Sequence, residues 1–365
     1  MSEPPVLDGP VHVVGAGLLG TSIGLALQRT GVEVWLSDLN HEHVRTASGL
    51  GAGTPAPPDP SGAQVVVAAC PPAHIADVVV EALENLGRGS VVTDVGSVKA
   101  LPLGEVADRV GESGLGRYVG SHPMAGSERS GPLAAAATLF EGRPWAVTPH
   151  VHADPDAVAL VEQLVRRCGA EPVRLSPVEH DNAVARTSHI PHLLAVLAAG
   201  RLAEAMPEHL AMSGQGVRDV TRIAAGDPAL YSQIIRANAH AVVELLAAVR
   251  GELDIVMAAL SGEEADADEA LEEVLTRGVA GTRLIPGKHG GPPLETAAVY
   301  VAVPDTPGEL ARLLADVGDI GVNLEDLRID HDPGRAVGLV EVVVAAGAAE
   351  ALRESLEARK WVTHR

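Results

Sequence analysis

Aromatic side chains are scarce in this chain of 365 residues, which has three tryptophans, three tyrosines and one phenylalanine. Ala, Val and Leu must therefore build the core, and a surface designed to stack nucleobases has no material here. Basic residues are also short, with 27 Lys and Arg against 48 Asp and Glu for a formal charge of -21. A polyanion such as nucleic acid meets repulsion from most of this surface, so any anionic substrate must be gathered by a local basic cluster. The two cysteines, Cys70 and Cys168, stand apart and outside any CxxC pair. That excludes a disulfide framework or a cysteine metal site and fits a reducing compartment. Long apolar runs are missing as well, and Met1 to Pro10 has neither a basic nor an apolar leader segment. No membrane span and no secretory signal are expected, and the reading is a cytoplasmic protein.

A hydrophobic content of 46% and a mean hydropathy of +0.17 mark a packed protein, and the length calls for two or three domains. The apolar run at Val11–Val14 leads at once into Gly15-Ala16-Gly17-Leu18-Leu19-Gly20 and then a helical pattern. In that context GxGxxG is a dinucleotide cradle, because the glycines permit a tight turn and close backbone approach while the helix N-terminus faces the pyrophosphate. Gly15, Gly17, Leu18, Leu19 and Gly20 are the cofactor-binding candidates. Asp38 ends the next strand about 20 residues further on, where a carboxylate accepts from ribose hydroxyls; this favours NAD over NADP. Strand and helix patterns then alternate as in a parallel sheet.

Asp94-Val95-Gly96-Ser97-Val98-Lys99 falls at the carboxyl end of a strand, the edge where such sheets bind ligands, so Ser97 and Lys99 are expected to face the crevice. Ser121-His122-Pro123-Met124-Ala125-Gly126-Ser127-Glu128-Arg129-Ser130-Gly131 crowds an imidazole, a carboxylate, a guanidinium and hydroxyls among glycines and a proline. It is a poor helix and a poor strand, and reads as an active-site loop.

From Pro177 the pattern becomes helical, with His189 and His192 on one face and a kink expected near Pro191. No HExxH pattern accompanies these histidines, and no metal is expected. Arg218 and Arg222 sit one helical turn apart and suit a carboxylate-bearing substrate, unless Asp219 and Asp227 engage them in a structural ion-pair network. A long apolar helix covering Ala229 to Ala259 follows, and helices this apolar suggest a homodimer. The domains are therefore read as residues 1–176, an α/β Rossmann-like dinucleotide domain; 177–285, an all-α substrate and dimerisation domain; 286–294, a linker; and 295–365, a small α+β domain of βαββαβ order.

GAGLLG, DVGSVK, SHPMAGSERSG, HDNAVARTSHIPHLLA and GVRDVTRIAAGDP, in this order, resemble the prephenate and arogenate dehydrogenase family of tyrosine biosynthesis. The tail, with DTPGELARLL and GVNLEDL, resembles an ACT regulatory domain. The resemblance implies NAD-dependent oxidative decarboxylation of prephenate, or alternatively of arogenate. It implies catalytic roles for His122, which contacts the ring hydroxyl, and for Ser97. It places Arg222 on a substrate carboxylate and His192 and Glu128 along the pocket, with Arg218 and Ser121 as further substrate contacts. Tyr231 is a departure, since many members carry tryptophan there. Pro307, Gly308 and Asn323 match turns in which ACT domains hold an amino acid, with tyrosine the first candidate effector. A non-catalytic NAD- or amino-acid-sensing protein is the more distant alternative.

Overall fold

The computed structural model describes residues 5–85, 87, 89–126, 129–262, 267–285, 294–331 and 337–364. They fall into two units, 1–249 and 250–365. In the first, β1 (Val11–Val14), β2 (Val34–Ser37), β3 (Thr54–Pro55), β4 (Val65–Ala68) and β5 (Val91–Asp94) form a parallel sheet in the order β3-β2-β1-β4-β5. β1 pairs with β2 on one side and β4 on the other, so the strand order reverses beside it and leaves a crevice at the carboxyl ends.

Such strands are Val-rich because both faces are covered. One face carries α1 (Leu18–Gln28) and α2 (His41–Gly49), the other α3 (Ile75–Asn85) and α4 (Ala100–Val110). Ile23, Leu27, Leu160 and Leu164 belong to one core, and Val79, Leu83 and Val106 to the other. Aliphatic residues dominate both, with Phe140 and Trp145 as an aromatic pair in the first. The proline-rich stretch from Gly53 contributes only β3, a two-residue edge strand, as the missing N–H of proline requires.

The sheet does not continue in parallel as the alternation suggested. β6 (Gly120–Pro123), β7 (Pro144–Thr148) and β8 (Glu171–Arg174) make a second sheet in the order β6-β7-β8. β6 and β7 are antiparallel because no crossover helix joins them, while α5 (Pro155–Arg167) allows β7 and β8 to run parallel. A single bridge from Val92 to Tyr118 sets β6 beside β5. Ser121, His122 and Pro123 are therefore strand residues, not the start of a loop.

The helical region is interrupted close to the kink expected near Pro191. α6 (Pro177–Val184) begins with a capping box in which Ser176 and Glu179 satisfy each other's backbone N–H. A π-helical turn at Ala185–His189 then leads into α7 (Ile190–Leu202). Pro191 has no N–H to give to the carbonyl four residues back, and the widened turn just before it absorbs that loss. After α8 (Pro207–Leu210), α9 (Gln215–Ile223) packs on α7. The expected helix from Ala229 is two, α10 (Pro228–Ala237) and α11 (Ala239–Ser261), broken at Asn238. α11 crosses the division between the units.

The second unit holds α12 (Ala267–Thr282) and an antiparallel sheet of β9 (Thr296–Pro304), β10 (Asp326–His331), β11 (Val337–Ala345) and β12 (Val362–His364), ordered β10-β11-β9-β12. α13 (Glu309–Ile320) and α14 (Ala349–Ala358) cover one face, where Val299, Val301, Leu313, Val342 and Leu352 pack. Residues 286–293 of the expected linker lie outside the described residues. No helix among the described residues is long and apolar enough to cross a membrane.

Candidate active site

The glycine run turns as its spacing implies. Gly15 has φ +109, and a Cβ there would lie 2.2 Å from the Ala69 carbonyl oxygen. Gly17 caps α1 without a side-chain hydrogen bond, and a Cβ on it would meet nothing within 4 Å. The start of α1 thus has room beside Gly17 and no side-chain cap, which fits a pyrophosphate. Asp38, one residue past β2, accepts the Ala16 N–H on Oδ2 at 2.7 Å and the Asn40 N–H on Oδ1 at 2.8 Å. Both oxygens keep a further lone pair, as ribose hydroxyls would require.

At the end of β5 the chain turns through Val95 to Val98 into α4. Ser97 is half-buried in that turn. Lys99 points away from the crevice, contrary to expectation: it is 1% exposed, and its Nζ bonds the Asp94 carboxylate and the Ser121 carbonyl. Asp94 is fully buried and also accepts from the Tyr118 hydroxyl at 2.9 Å and the Gly96 N–H at 2.9 Å. Burial drives the Lys99 pKa down against the pull of Asp94, and drives the Tyr118 hydroxyl up, keeping it a donor. This buried cluster fastens β6 to the end of β5.

Alternation along β6 sends neighbouring side chains to opposite faces. Ser121 is consequently fully buried; its Oγ donates to the Asp94 carbonyl and accepts from Thr93 Oγ1. Its hydroxyl, expected to meet the substrate, is thus engaged within the fold. His122 faces the other way and is half-buried. Its Nδ1 lies 3.0 Å from His180 Nε2, and His180 Nδ1 lies 2.8 Å from Asp181 Oδ1. Asp181 also accepts the Lys99 N–H at 2.8 Å and the Ala100 N–H at 2.9 Å, where α4 begins. His122 Nε2 has no hydrogen-bond partner among the described residues and is not one of the sealed polar atoms. Burial, reinforced by His180, Lys99 and His189, holds His122 well below the usual imidazole range, so the ring stays neutral.

The helices are tied to this chain through Asn238, whose amide donates to the Asp181 carbonyl at 2.7 Å and meets His189 Nδ1 at 3.2 Å. His189 is thus structural. His192 is buried and stacks on Tyr231 with ring centroids 3.5 Å apart and planes 6° apart. A side chain on Gly226 would collide with that pair. The His192 ring is bonded to the Ile223 backbone, yet its Nδ1 is a buried atom without a partner. Arg218 and Arg222 are exposed on α9, and neither is engaged by Asp219, which bonds Gln215, or by Asp227, which caps α10. Glu128 lies outside the described residues. Burial pushes the Cys70 thiol up to about 11 and raises Cys168 as well, so neither is a thiolate nucleophile.

His180, Asp181 and Asn238 were missed from sequence. The SxxE capping box directly before His180 and Asp181 was the available signal, since it fixes where α6 starts.

Residues 23–174 match the family description "Prephenate dehydrogenase, nucleotide-binding domain" and residues 176–277 match "Prephenate dehydrogenase, dimerization domain". The chain is 37% identical to "Probable prephenate dehydrogenase NovF" of Streptomyces niveus, over 96% of this chain and 98% of that one. It is 29% identical to the prephenate dehydrogenase of Bacillus subtilis, over 87% of each. Among solved structures it is similar to prephenate dehydrogenase from A. aeolicus in complex with hydroxyphenyl propionate and NAD+, with a TM-score of 0.66 and 27% identity over 75% of this chain and 99% of that one. Two adjoining family matches and a relative aligned over almost its full length carry the conclusion: the chain belongs to the prephenate dehydrogenase family.

Proposed function

We propose that this protein oxidises prephenate to 4-hydroxyphenylpyruvate and CO2 with NAD+, and that His122 takes the proton of the ring hydroxyl. The observation that carries the reading is His122 Nε2, unpartnered on a neutral ring beside the crevice edge. NAD+ supplies the acceptor for the hydride leaving C4. As that hydride departs, the C4 hydroxyl passes its proton to Nε2 and becomes a carbonyl. The bond from C1 to its carboxylate then breaks, CO2 leaves, and the electron pair closes the aromatic ring. The phenolate oxygen recovers the proton from His122, so the imidazole ends as it began. A positioned base of this kind contributes on the order of 10²- to 10⁴-fold.

Ser97, in the turn after β5, would donate to or accept from the same hydroxyl. Arg222, with Arg218 one turn away, would hold a carboxylate in an otherwise acidic protein. His192, stacked on Tyr231, is kept as a pocket residue on the family resemblance. Glu128 is kept as a pocket residue on the family resemblance alone. Hydroxyphenyl propionate, held by the A. aeolicus relative, carries the hydroxyphenyl ring that the products from prephenate and from arogenate share.

The C-terminal βαββαβ domain is proposed to be an ACT-like regulatory domain that binds an amino acid, with tyrosine the first candidate. Support comes from Gly308, left-handed at φ +95 at the start of α13 beside Pro307, and from Asn323, held by Glu325. The helical region, with Leu194, Leu197 and Val220 exposed, is proposed to pair two copies of the chain in the cytoplasm.

The test is NADH formation from prephenate and from arogenate, with wild type and His122→Asn. A higher kcat/KM for prephenate and a loss of at least about 10²-fold in the variant are expected; full turnover by the variant removes His122 from the chemistry. Titrating that activity with tyrosine tests the effector, and an unchanged rate rejects it.

A further inference from the structure

We propose that Asp181 and His180 are positioning residues that fix the tautomer of His122, with hydrogen on Nδ1 and a bare Nε2, before any substrate arrives. This rests on the reading of His122 as the proton acceptor.

The argument is one of donors and acceptors. Asp181 receives backbone N–H groups on both oxygens, from Lys99 and Ala100 at the start of α4. The ring nitrogen facing Oδ1 at 2.8 Å must therefore be a donor, so the hydrogen of His180 is on Nδ1. When that hydrogen is the ring's single N–H, His180 Nε2 is an acceptor. Across 3.0 Å, His122 Nδ1 must then donate. The opposite chain would set a bare nitrogen against a carboxylate oxygen with His180 only 1% exposed and Asp181 buried, and no water could repair the lost bond. The two rings meet edge-on, at 71° with centroids 5.2 Å apart, as an in-plane N–H to nitrogen bond permits.

The rest of the fold holds this chain in place. The capping box at Ser176 and Glu179 fixes the first turn of α6. Asn238 holds the Asp181 carbonyl, and that use of its side chain coincides with the break between α10 and α11. Sequence neighbours 180 and 181 thereby connect three parts of the first unit: the end of β5, β6, and the helices.

The test combines nitrogen NMR with kinetics on the full chain. In protein labelled with ¹⁵N-histidine, long-range proton–nitrogen correlation, assigned by difference with His122→Asn, reports which His122 nitrogen carries hydrogen. Wild type is expected to show an unprotonated Nε2. In Asp181→Asn the amide can face His180 as a donor and reverse the chain; hydrogen then moves to His122 Nε2, and kcat falls by about 10²- to 10⁴-fold while the KM for NAD+ is held. His180→Gln keeps an acceptor for His122 Nδ1 and should retain far more kcat than His180→Leu. If Asp181→Asn fails to fold, the Gln and Leu pair decides. A wild-type ring carrying hydrogen on Nε2, or equal kcat in His180→Leu and wild type, overturns the proposal. Full activity in His122→Asn would instead sink the base assignment, while the NMR result would still stand or fall alone.

Discussion

Replacing Lys99 with Met probes what holds β6, the strand that carries His122, against the sheet. The ammonium is 1% exposed and bonds the fully buried Asp94 and the Ser121 carbonyl. Met is close to Lys in length, and the slot along Gly120 stays filled, so the cavity contribution is small. What remains is a buried carboxylate stripped of its counter-ion, worth about 3–5 kcal/mol when one partner of such a pair is removed. That is a large share of the roughly 5–15 kcal/mol by which a domain is stable. The assay is urea unfolding followed by tryptophan fluorescence in a Trp361→Phe background, where only Trp35 and Trp145 report and both belong to the first unit. Adding Asp94→Asn removes the stranded charge, so the double variant should be more stable than the additive sum, with an interaction energy of about 1–3 kcal/mol. A loss below about 1 kcal/mol for Lys99→Met, or strict additivity, would refute the view that this pair is an internally compensated charge.

Protonation gives a second prediction. Burial lowers the pKa of His12, His122, His189 and His192 below their ordinary 6.5, so the unfolded chain binds those protons first. Stability contributed by these groups is complete above about pH 6.5 and declines as pH falls below it, by up to ~1.4 kcal/mol per pH unit for each ring that stays neutral; Tm measured from pH 7.5 down to 5 should drop accordingly, and a flat profile would contradict it. Arg222→Ala should raise the KM for prephenate by about 10-fold or more while leaving NAD+ affinity in place; equal losses in both would point to damaged packing of α9. Asp38→Ser should weaken NAD+ relative to NADP+, since the carboxylate no longer repels a 2'-phosphate; an unchanged cofactor ratio in steady-state kinetics would reject the ribose role.

Local chemistry was legible where a few neighbouring residues decide the structure. The glycine run, Asp38 after β2, and α5 from Pro155 to Arg167 follow from turn geometry, strand ends and helix periodicity alone. The C-terminal order of strand and helix was legible for the same reason. Long-range pairing was not. Whether Lys99 faces the crevice depends on Asp94 being sealed beneath it and on the Ser121 carbonyl arriving from another strand. Whether Asn238 continues a helix depends on Asp181 and His189, which are far away in the chain.

The segment from Ser121 illustrates why the missed part mattered for function. Its composition argues against a strand, yet pairing of His122 with Ala146 and Pro123 with Trp145 makes it one, because β7 offers an open edge and the buried Lys99 takes the Ser121 carbonyl. A loop would leave both Ser121 and His122 free to reach a ligand. A strand cannot do this: its two-residue period must bury one side chain when it presents the other. Ser121 is accordingly spent on Thr93 and the Asp94 backbone, and His122 is delivered to His180 with its backbone already fixed. An imidazole whose one nitrogen is occupied and whose backbone is paired has few ways left to point, so the second nitrogen is positioned by the sheet itself. Strand formation and placement of His122, the proposed base, are therefore the same event, and a substitution that weakens β6 should reduce kcat before it reduces cofactor binding, since the nucleotide cradle at β1 and α1 shares no hydrogen bond with it among those described.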